Sequence, residues 1–110
     1  MSVRDDAIDA LLQQKLWIEE NFTRLEAACE SDEEKAALLG SYARAVELWN
    51  DAETKNLVMN DGEVTGLLTQ LAQVRRRVED DLAALEDVSQ VLNNIATGIQ
   101  VGTSIVRLLG

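Results

Sequence analysis

Proline and histidine are absent from the 110 residues, and there are only one cysteine, Cys29, and four aromatic residues. Without proline, only local capping chemistry stops a helix. Without histidine, the commonest general base and most zinc sites are excluded. A single cysteine forms no intrachain disulfide, and the acidic stretch from Ser2 to Asp9 is unlike a secretory signal. We therefore expect a cytoplasmic protein.

Positive charge is also scarce, since the formal net charge is −10. Residues 1–60 carry 13 acids and 6 bases, a net of −7, whereas residues 61–110 carry 7 acids and 4 bases, a net of −3. A nucleic-acid partner needs a basic face, so that class of function is disfavoured. Adjacent acids such as Asp5-Asp6 point in different directions on a helix, and no glycine-rich phosphate loop is present. We expect no metal, no cofactor and no enzymatic activity.

The first half of the sequence predicts a helical hairpin. Apolar residues recur at spacings of three, four and seven between Ile8 and Cys29, which indicates a helix over about residues 3–30. Ser31 followed by Glu34 forms a capping box, so a second helix is expected over about 32–57. The short turn between them predicts antiparallel packing. The apolar run Leu57–Met59 is expected to form a buried connector.

The second half has the most regular pattern, a heptad repeat from Val64 to Leu109. This repeat predicts one helix over about 61–109. The 46 residues of the repeat would span about 70 Å as a helix, whereas each of the two earlier helices would span about 40 Å. Either this helix extends past the end of the hairpin and pairs with another chain, or it breaks near residues 87–94 and folds back as a fourth helix. The fold prediction is a single all-α domain over 1–110, a three-helix, coiled-coil-like bundle, or a four-helix bundle if the break occurs.

The segment 88–110 carries a single charge, Arg107, and contains the spacing Gly98-x-x-x-Gly102, which is typical of close helix contact. Trp17 lies one residue off the first apolar seam, where it either packs on the third helix or anchors a partner. Arg75, Arg76 and Arg77 each precede an acid by four residues, so they are expected to be neutralised on their own helix. The predicted interaction residues are Trp17, Val88, Leu92, Ile95, Gly98, Ile99, Gly102, Val106 and Leu109.

These patterns predict a non-enzymatic protein–protein interaction module. It would self-associate through its C-terminal helix and bind another protein, as an adaptor, a chaperone or an immunity-type protein does. The alternative is a membrane-associated protein that uses residues 88–110 as an amphipathic or inserting helix. Many uncharged polar side chains between Ser89 and Ser104 make a spanning helix the weaker alternative.

Overall fold

A computed structural model describes residues 2–85 and 87–110. This part of the chain contains four α-helices, which are α1 (Val3–Ala28), α2 (Asp32–Glu53), α3 (Asp61–Ala84) and α4 (Val88–Arg107). The all-α prediction is confirmed. The prediction of one long third helix is wrong, because its register is divided between α3 and α4. The four-helix alternative matches the helix count, although α3 already ends before the interval 87–94 in which the break was expected.

Each helix begins at a residue whose side chain caps it. The N-caps are Ser2, Ser31, Asn60 and Asp87, and each accepts a hydrogen bond from a backbone N–H of the first turn. At Ser31 the capping box is confirmed, since Oγ accepts from the Glu34 N–H at 3.1 Å. The Glu34 carboxylate in turn accepts from the Glu30 N–H at 2.7 Å. The first N–H groups of a helix have no carbonyl partner within it, so these caps stabilise the N-terminal ends. In a sequence without proline, the caps determine where each helix begins.

The turn that divides the heptad register begins at Leu85. This residue has φ 38° and ψ 47°, a left-handed conformation that side chains other than glycine rarely adopt. Its N–H donates to the Asp81 carbonyl at 2.7 Å and closes the last turn of α3. Asp87 then caps α4. The chain reverses without shifting the apolar register, which is why the heptad pattern alone did not show the break.

The helices surround the core in the order α1, α2, α4, α3. Consecutive helices are antiparallel, as shown by the contacts of α1 with α2: Tyr42 donates to Glu19, and the Arg4 side chain donates to the Lys55 carbonyl. α1 and α3 are parallel neighbours, and α4 also reaches α1 across the core. The parallel pair α1–α3 is the side of the bundle with the fewest contacts, and it positions the site described below.

The core consists of two apolar clusters along the bundle. The first cluster lies toward the α1–α2 and α3–α4 turns, and it contains Ile18, Leu25, Leu38, Ala45, Val74, Val78, Leu82, Val88, Val91, Leu92 and Ile95. The second lies toward the α2–α3 connector, and it contains Ala7, Leu11, Leu48, Ala52, Val64, Leu71, Ile105 and Leu109. Ile99 packs against both clusters and joins them into a continuous interior.

The α2–α3 connector pairs with the segment that follows α4. Val58 and Leu109 form an isolated antiparallel bridge. Backbone hydrogen bonds flank it, from Met59 N–H to the Leu108 carbonyl at 2.7 Å and between Leu57 and Gly110 in both directions. The expectation of a buried connector is wrong for Leu57 and Met59, which are 68% and 69% exposed. Backbone pairing rather than apolar burial therefore holds this segment.

Candidate interaction surface

The apolar residues of α4 that the sequence suggested for an interface pack inside the chain. Val88, Leu92, Ile95 and Leu109 are buried members of the two core clusters, and Ile99 and Val106 are half-buried against them. Gly98 and Gly102 are buried as well. The covering surface comes from α1, α2 and α3. The excess length of the third register is thus explained by the fold-back of α4, and its apolar face is not left open for a partner.

Gly98 and Gly102 bring α4 close to α1 and α2. A Cβ at Gly102 would lie 3.1 Å from both Leu11 Cδ2 and Leu48 Cδ1. A Cβ at Gly98 would lie 2.9 Å from the side-chain nitrogen of Gln14. The close helix contact implied by the Gly-x-x-x-Gly spacing therefore occurs within one chain, where the Gln14 side chain of α1 lies across the glycine face of α4.

A cleft runs between α1 and α3. Its inner part lies between Trp17 and Ala10 on one wall and Val74 and Val78 on the other. Ile95 and Gly98 of α4 line its base. Its outer part continues toward the start of α1. Ala10, Leu71 and Arg75 border both parts, so they form one groove.

Trp17 stands on the α1 wall of this groove. Its ring is half-buried against the first core cluster, in which Val74 and Val78 belong to α3. The preference for packing on the third helix, over a fully exposed anchor, agrees with this position. Trp17 borders the groove, as do Ile95 and Gly98 among the nine predicted interaction residues. The remaining six lie elsewhere in the bundle.

Short and polar side chains explain why this seam stays open. The α1 wall presents Ala10 and Gln13 where a close-packed seam would carry Leu or Val, and the α3 wall presents Ala72. Farther along, the Arg24 side chain donates to the Leu82 carbonyl at 3.0 Å and ties α1 to the end of α3. The groove is therefore closed at one end by a hydrogen bond and open toward the N-terminal ends of both helices.

Charge is distributed unevenly along the rims. Asp6 and Asp9 border the outer part and are exposed, and no cation of the described residues lies within ion-pair distance of either. Arg75 borders both parts, but it pairs with Glu79 at 3.2 Å. Toward the start of α1 the rim is thus negative, and toward Trp17 it is close to neutral.

Only one of the three expected Arg–acid pairs is present in the part of the chain that the structure describes. Arg75 pairs with Glu79, as predicted, whereas Arg76 and Arg77 have no carboxylate within 4.0 Å among those residues. Asp81 instead accepts a hydrogen bond from the Asn94 side chain of α4. The prediction is wrong for Asp81 because a partly buried amide across the α3–α4 seam replaces the exposed Arg77 guanidinium.

Among the described residues, the buried side-chain atoms Gln14 Oε1 and Trp49 Nε1 have no hydrogen-bond partner. Gln14 lies at the base of the groove between Trp17 and the glycine face of α4. Trp49 packs on the second cluster, with the Lys15 ammonium 5.2 Å from its ring centre. An unpaired buried amide oxygen is destabilising, so the environment of Gln14 marks the groove base as suboptimal for the isolated bundle.

The environment of Cys29, the single cysteine of the sequence, does not favour the reactive thiolate. Cys29 is half-buried and its thiol donates to the Leu25 carbonyl at 3.2 Å. Burial, followed by the nearby Glu34 carboxylate, raises the pKa of the Cys29 thiol, which disfavours the nucleophilic thiolate. Within residues 2–85 and 87–110, no group of three or more acids or cysteines is placed to hold a metal ion. No helix of that part is long and apolar enough to cross a bilayer.

The described residues form a small acidic four-helix bundle whose α1–α3 seam is open. Comparison of this chain with protein-family models, with curated proteins and with solved structures finds no match. A functional assignment therefore has to come from the groove itself.

Sequence reasoning identified Trp17 but missed the groove. Residues at the spacing of Asp6, Ala10, Gln13 and Trp17 lie on one face of α1, and this face differs from the apolar seam by its small and polar members. That composition was a usable signal that the face does not close against a neighbour. What the sequence did not supply was the break at Leu85, without which α3 has no defined position beside α1.

Proposed function

We propose that this protein is a non-enzymatic interaction module that binds a segment of a partner protein in the α1–α3 groove. The observation that carries the proposal is an apolar groove between two parallel helices that the chain itself leaves unfilled. Clefts between helices of a bundle are common binding sites, and a helix laid into such a groove is a recurrent mode of recognition. An adaptor, a chaperone or an immunity-type protein would use such a site.

The shape of the groove supports a protein ligand. The groove as a whole is long, because Asp6 in its outer part and Trp17 in its inner part are 11 residues apart on α1 and therefore about 16 Å apart along the helix axis. Its inner part is narrow and bordered by Trp17, a residue type enriched at binding hot spots. A partner segment lying along the outer part would place one large apolar side chain in the inner part.

Self-association remains part of the proposal, but it requires a different face from the one first expected. The apolar residues of α4 pack inside the chain, and its exposed face carries uncharged side chains such as Gln90, Asn93, Thr97 and Gln100. Two copies with a charge of −10 each meet least repulsion over this face. Light scattering of the full chain tests this point, and a monomer mass at high concentration contradicts it.

Membrane association remains the second proposal, with less support. A membrane surface would meet the same uncharged outer face of α4, since the apolar face of the helix is occupied by the core. Amphipathic membrane binders present apolar and basic residues to the lipid, and this face has only Arg107 as a base. Flotation with vesicles is the direct test, and a chain that stays with the protein fraction contradicts it.

The main test makes the same substitution at two alanines, both of which are exposed and lie within a helix. Ala72 borders the groove, whereas Ala43 is exposed on α2, away from it. Tagged wild-type, Ala72→Arg and Ala43→Arg proteins are used to capture partners from an extract of the producing cells, after circular dichroism confirms equal helicity. We expect one protein to be retained by the wild type and Ala43→Arg and lost with Ala72→Arg. The same retained proteins with all three baits would rule out the groove.

A further inference from the structure

We infer that the occupant of the groove is an amphipathic helix with a row of Lys or Arg side chains along the edge that faces Asp6 and Asp9. This inference rests on the proposed function and adds the chemistry of the partner. It follows from three features: the apolar lining of the groove, the position of unpaired carboxylates on one rim, and the scarcity of basic helix faces in the chain itself.

The apolar lining requires an apolar stripe on the occupant. The inner part is bordered by Trp17, Val74 and Val78, and the outer part has Leu68 and Leu71 along its floor. The lining residues of α3 recur at spacings of three and four, at Leu68, Leu71, Val74 and Val78, so the groove runs along the helix axis. A helix laid parallel to it matches that spacing with residues at its own i, i+3, i+4 and i+7 positions.

The carboxylates fix the charge of one edge. Asp6 and Asp9 lie one turn apart on the α1 rim of the outer part, and both are exposed. On the opposite rim are Thr65 and Thr69, which are uncharged, and Thr69 directs its hydroxyl to the Thr65 carbonyl of its own helix. Basic residues on the α1-facing edge of the occupant are therefore favoured, while the one charged side chain that borders the outer part from α3, Arg75, is paired with Glu79.

The direction along the groove is also constrained. At the inner end Arg75 is neutralised by Glu79, so the attraction for a basic edge is concentrated at the outer end. The whole chain carries −10, which attracts a basic partner over longer distances. The large apolar anchor of the occupant accordingly lies near Trp17 and its basic residues lie near the start of α1.

A second copy of this chain does not provide such a helix. Acids outnumber bases in α1, α2 and α3, and α4 carries only Arg107. Its longest basic run, Arg75–Arg77, is followed directly by Glu79, Asp80 and Asp81. Charge complementarity therefore selects a different, basic protein as the partner.

The test uses two synthetic helical peptides of about 18 residues, long enough for five turns. Both have the same leucine stripe, and one carries Lys while the other carries Glu along one edge. A Trp49→Phe chain leaves Trp17 as the single tryptophan, so its emission reports on the groove. We expect the Lys peptide to change this emission and to bind at least about tenfold more tightly than the Glu peptide at low salt.

Two matched double variants separate the rim from the general charge. Asp6→Asn with Asp9→Asn should weaken Lys-peptide binding about fivefold, as expected for two exposed ion pairs. Glu30→Gln with Asp51→Asn removes the same charge from exposed sites away from the groove and should weaken it less than about twofold. The Ala72→Arg variant should abolish the Trp17 response to the Lys peptide.

Equal affinity for the two peptides, or equal losses in the two double variants, would overturn the inference. So would Lys-peptide binding that leaves the Trp17 emission unchanged, since the peptide would then lie elsewhere. If Ala72→Arg nevertheless abolishes partner capture from the extract, the proposed function stands and only the basic helix is wrong. If capture also survives Ala72→Arg, both proposals fail.

Discussion

The α3–α4 seam and the α1–α3 seam share one helix but differ in how they close. Toward α4, Val74, Val78 and Leu82 of α3 pack in one cluster with Val91 and Ile95, and Asp81 accepts a hydrogen bond from Asn94. Val74 and Val78 also line the inner part of the groove. Toward α1, α3 presents Leu68, Ala72 and Arg75 to Ala10 and Gln13. The difference shows that side-chain size and polarity across a seam, rather than helix length, decide whether a helix face is buried within the bundle.

The largest effect is expected from overfilling the closed side of the bundle. Gly102→Leu should lower the free energy of unfolding by about 3 kcal/mol, because Leu11 and Leu48 already lie at contact distance from a Cβ there. Thermal and urea unfolding followed by circular dichroism measure the change. The melting temperature should fall by more than about 10 °C.

Gly66→Leu is the matched control for that variant, since nothing lies within 4 Å of a Cβ at Gly66. It should raise the free energy of unfolding by roughly 0.5–1 kcal/mol through helix propensity alone. Equal stability changes at the two glycines would contradict the close approach of α4.

A smaller loss is expected from the polar contact of the α3–α4 seam. Asn94→Ala should cost about 1.5 kcal/mol, because the partly buried Asp81 carboxylate loses a charged hydrogen bond. Arg77→Ala should cost less than about 0.5 kcal/mol, as expected for an exposed side chain without an ion pair. If Arg77→Ala were the more destabilising variant, the original sequence prediction of an Arg77–Asp81 pair would be correct after all.

Where the two seams meet at the base of the groove, a gain in stability is expected. Gln14→Met keeps the shape of the side chain but removes the unpaired buried oxygen, and it should raise the free energy of unfolding by about 1 kcal/mol. Gln13→Met, one residue away on the outer rim, should change it by less than about 0.5 kcal/mol. A loss of stability in Gln14→Met would show that the amide has a partner in solution.

The smallest effect is expected on the open seam. Ala72→Leu adds three carbon atoms where space is available, so the free energy of unfolding should stay within about 0.5 kcal/mol of wild type. The same substitution at Ala45, which is fully buried, should cost roughly 2–3 kcal/mol. A comparable loss at both positions would mean that α1 and α3 close against each other in solution.

Several elements could be predicted from the sequence because their causes are local. The capping box at Ser31 and the hairpin of α1 and α2 follow from spacing over a few residues. These interactions depend on the backbone of one turn, so no knowledge of distant residues was needed.

The division of the third register was predicted only as an alternative to one long helix, because the cause of the break is not visible in apolar spacing. Leu85 and Val88 continue the heptad while the chain reverses between them, and the left-handed residue at the turn is a leucine rather than the glycine that usually marks such an end. The error then changed the interpretation of α4. Its apolar face was expected to require a second chain, whereas the fold-back provides the cover within one chain.

The groove was beyond sequence reasoning for a different reason. Its walls come from α1 and α3, which are separated by more than 50 residues, and its existence depends on side chains that are too short to meet. Residues that fail to touch leave no periodic signal. Ala10 and Ala72 are ordinary helix formers at any exposed position, and only the relative placement of the two helices gives them a role.

The bridge between Val58 and Leu109 has a consequence for synthesis of the protein on the ribosome. The backbone groups of the connector after α2 remain without these partners until residues 108–110 have left the exit tunnel. Leu11 and Leu48 likewise lack their contact with α4 until Gly102 has been synthesised. The hairpin of α1 and α2 therefore emerges before its cover, and α4 with residues 108–110 completes the second core cluster.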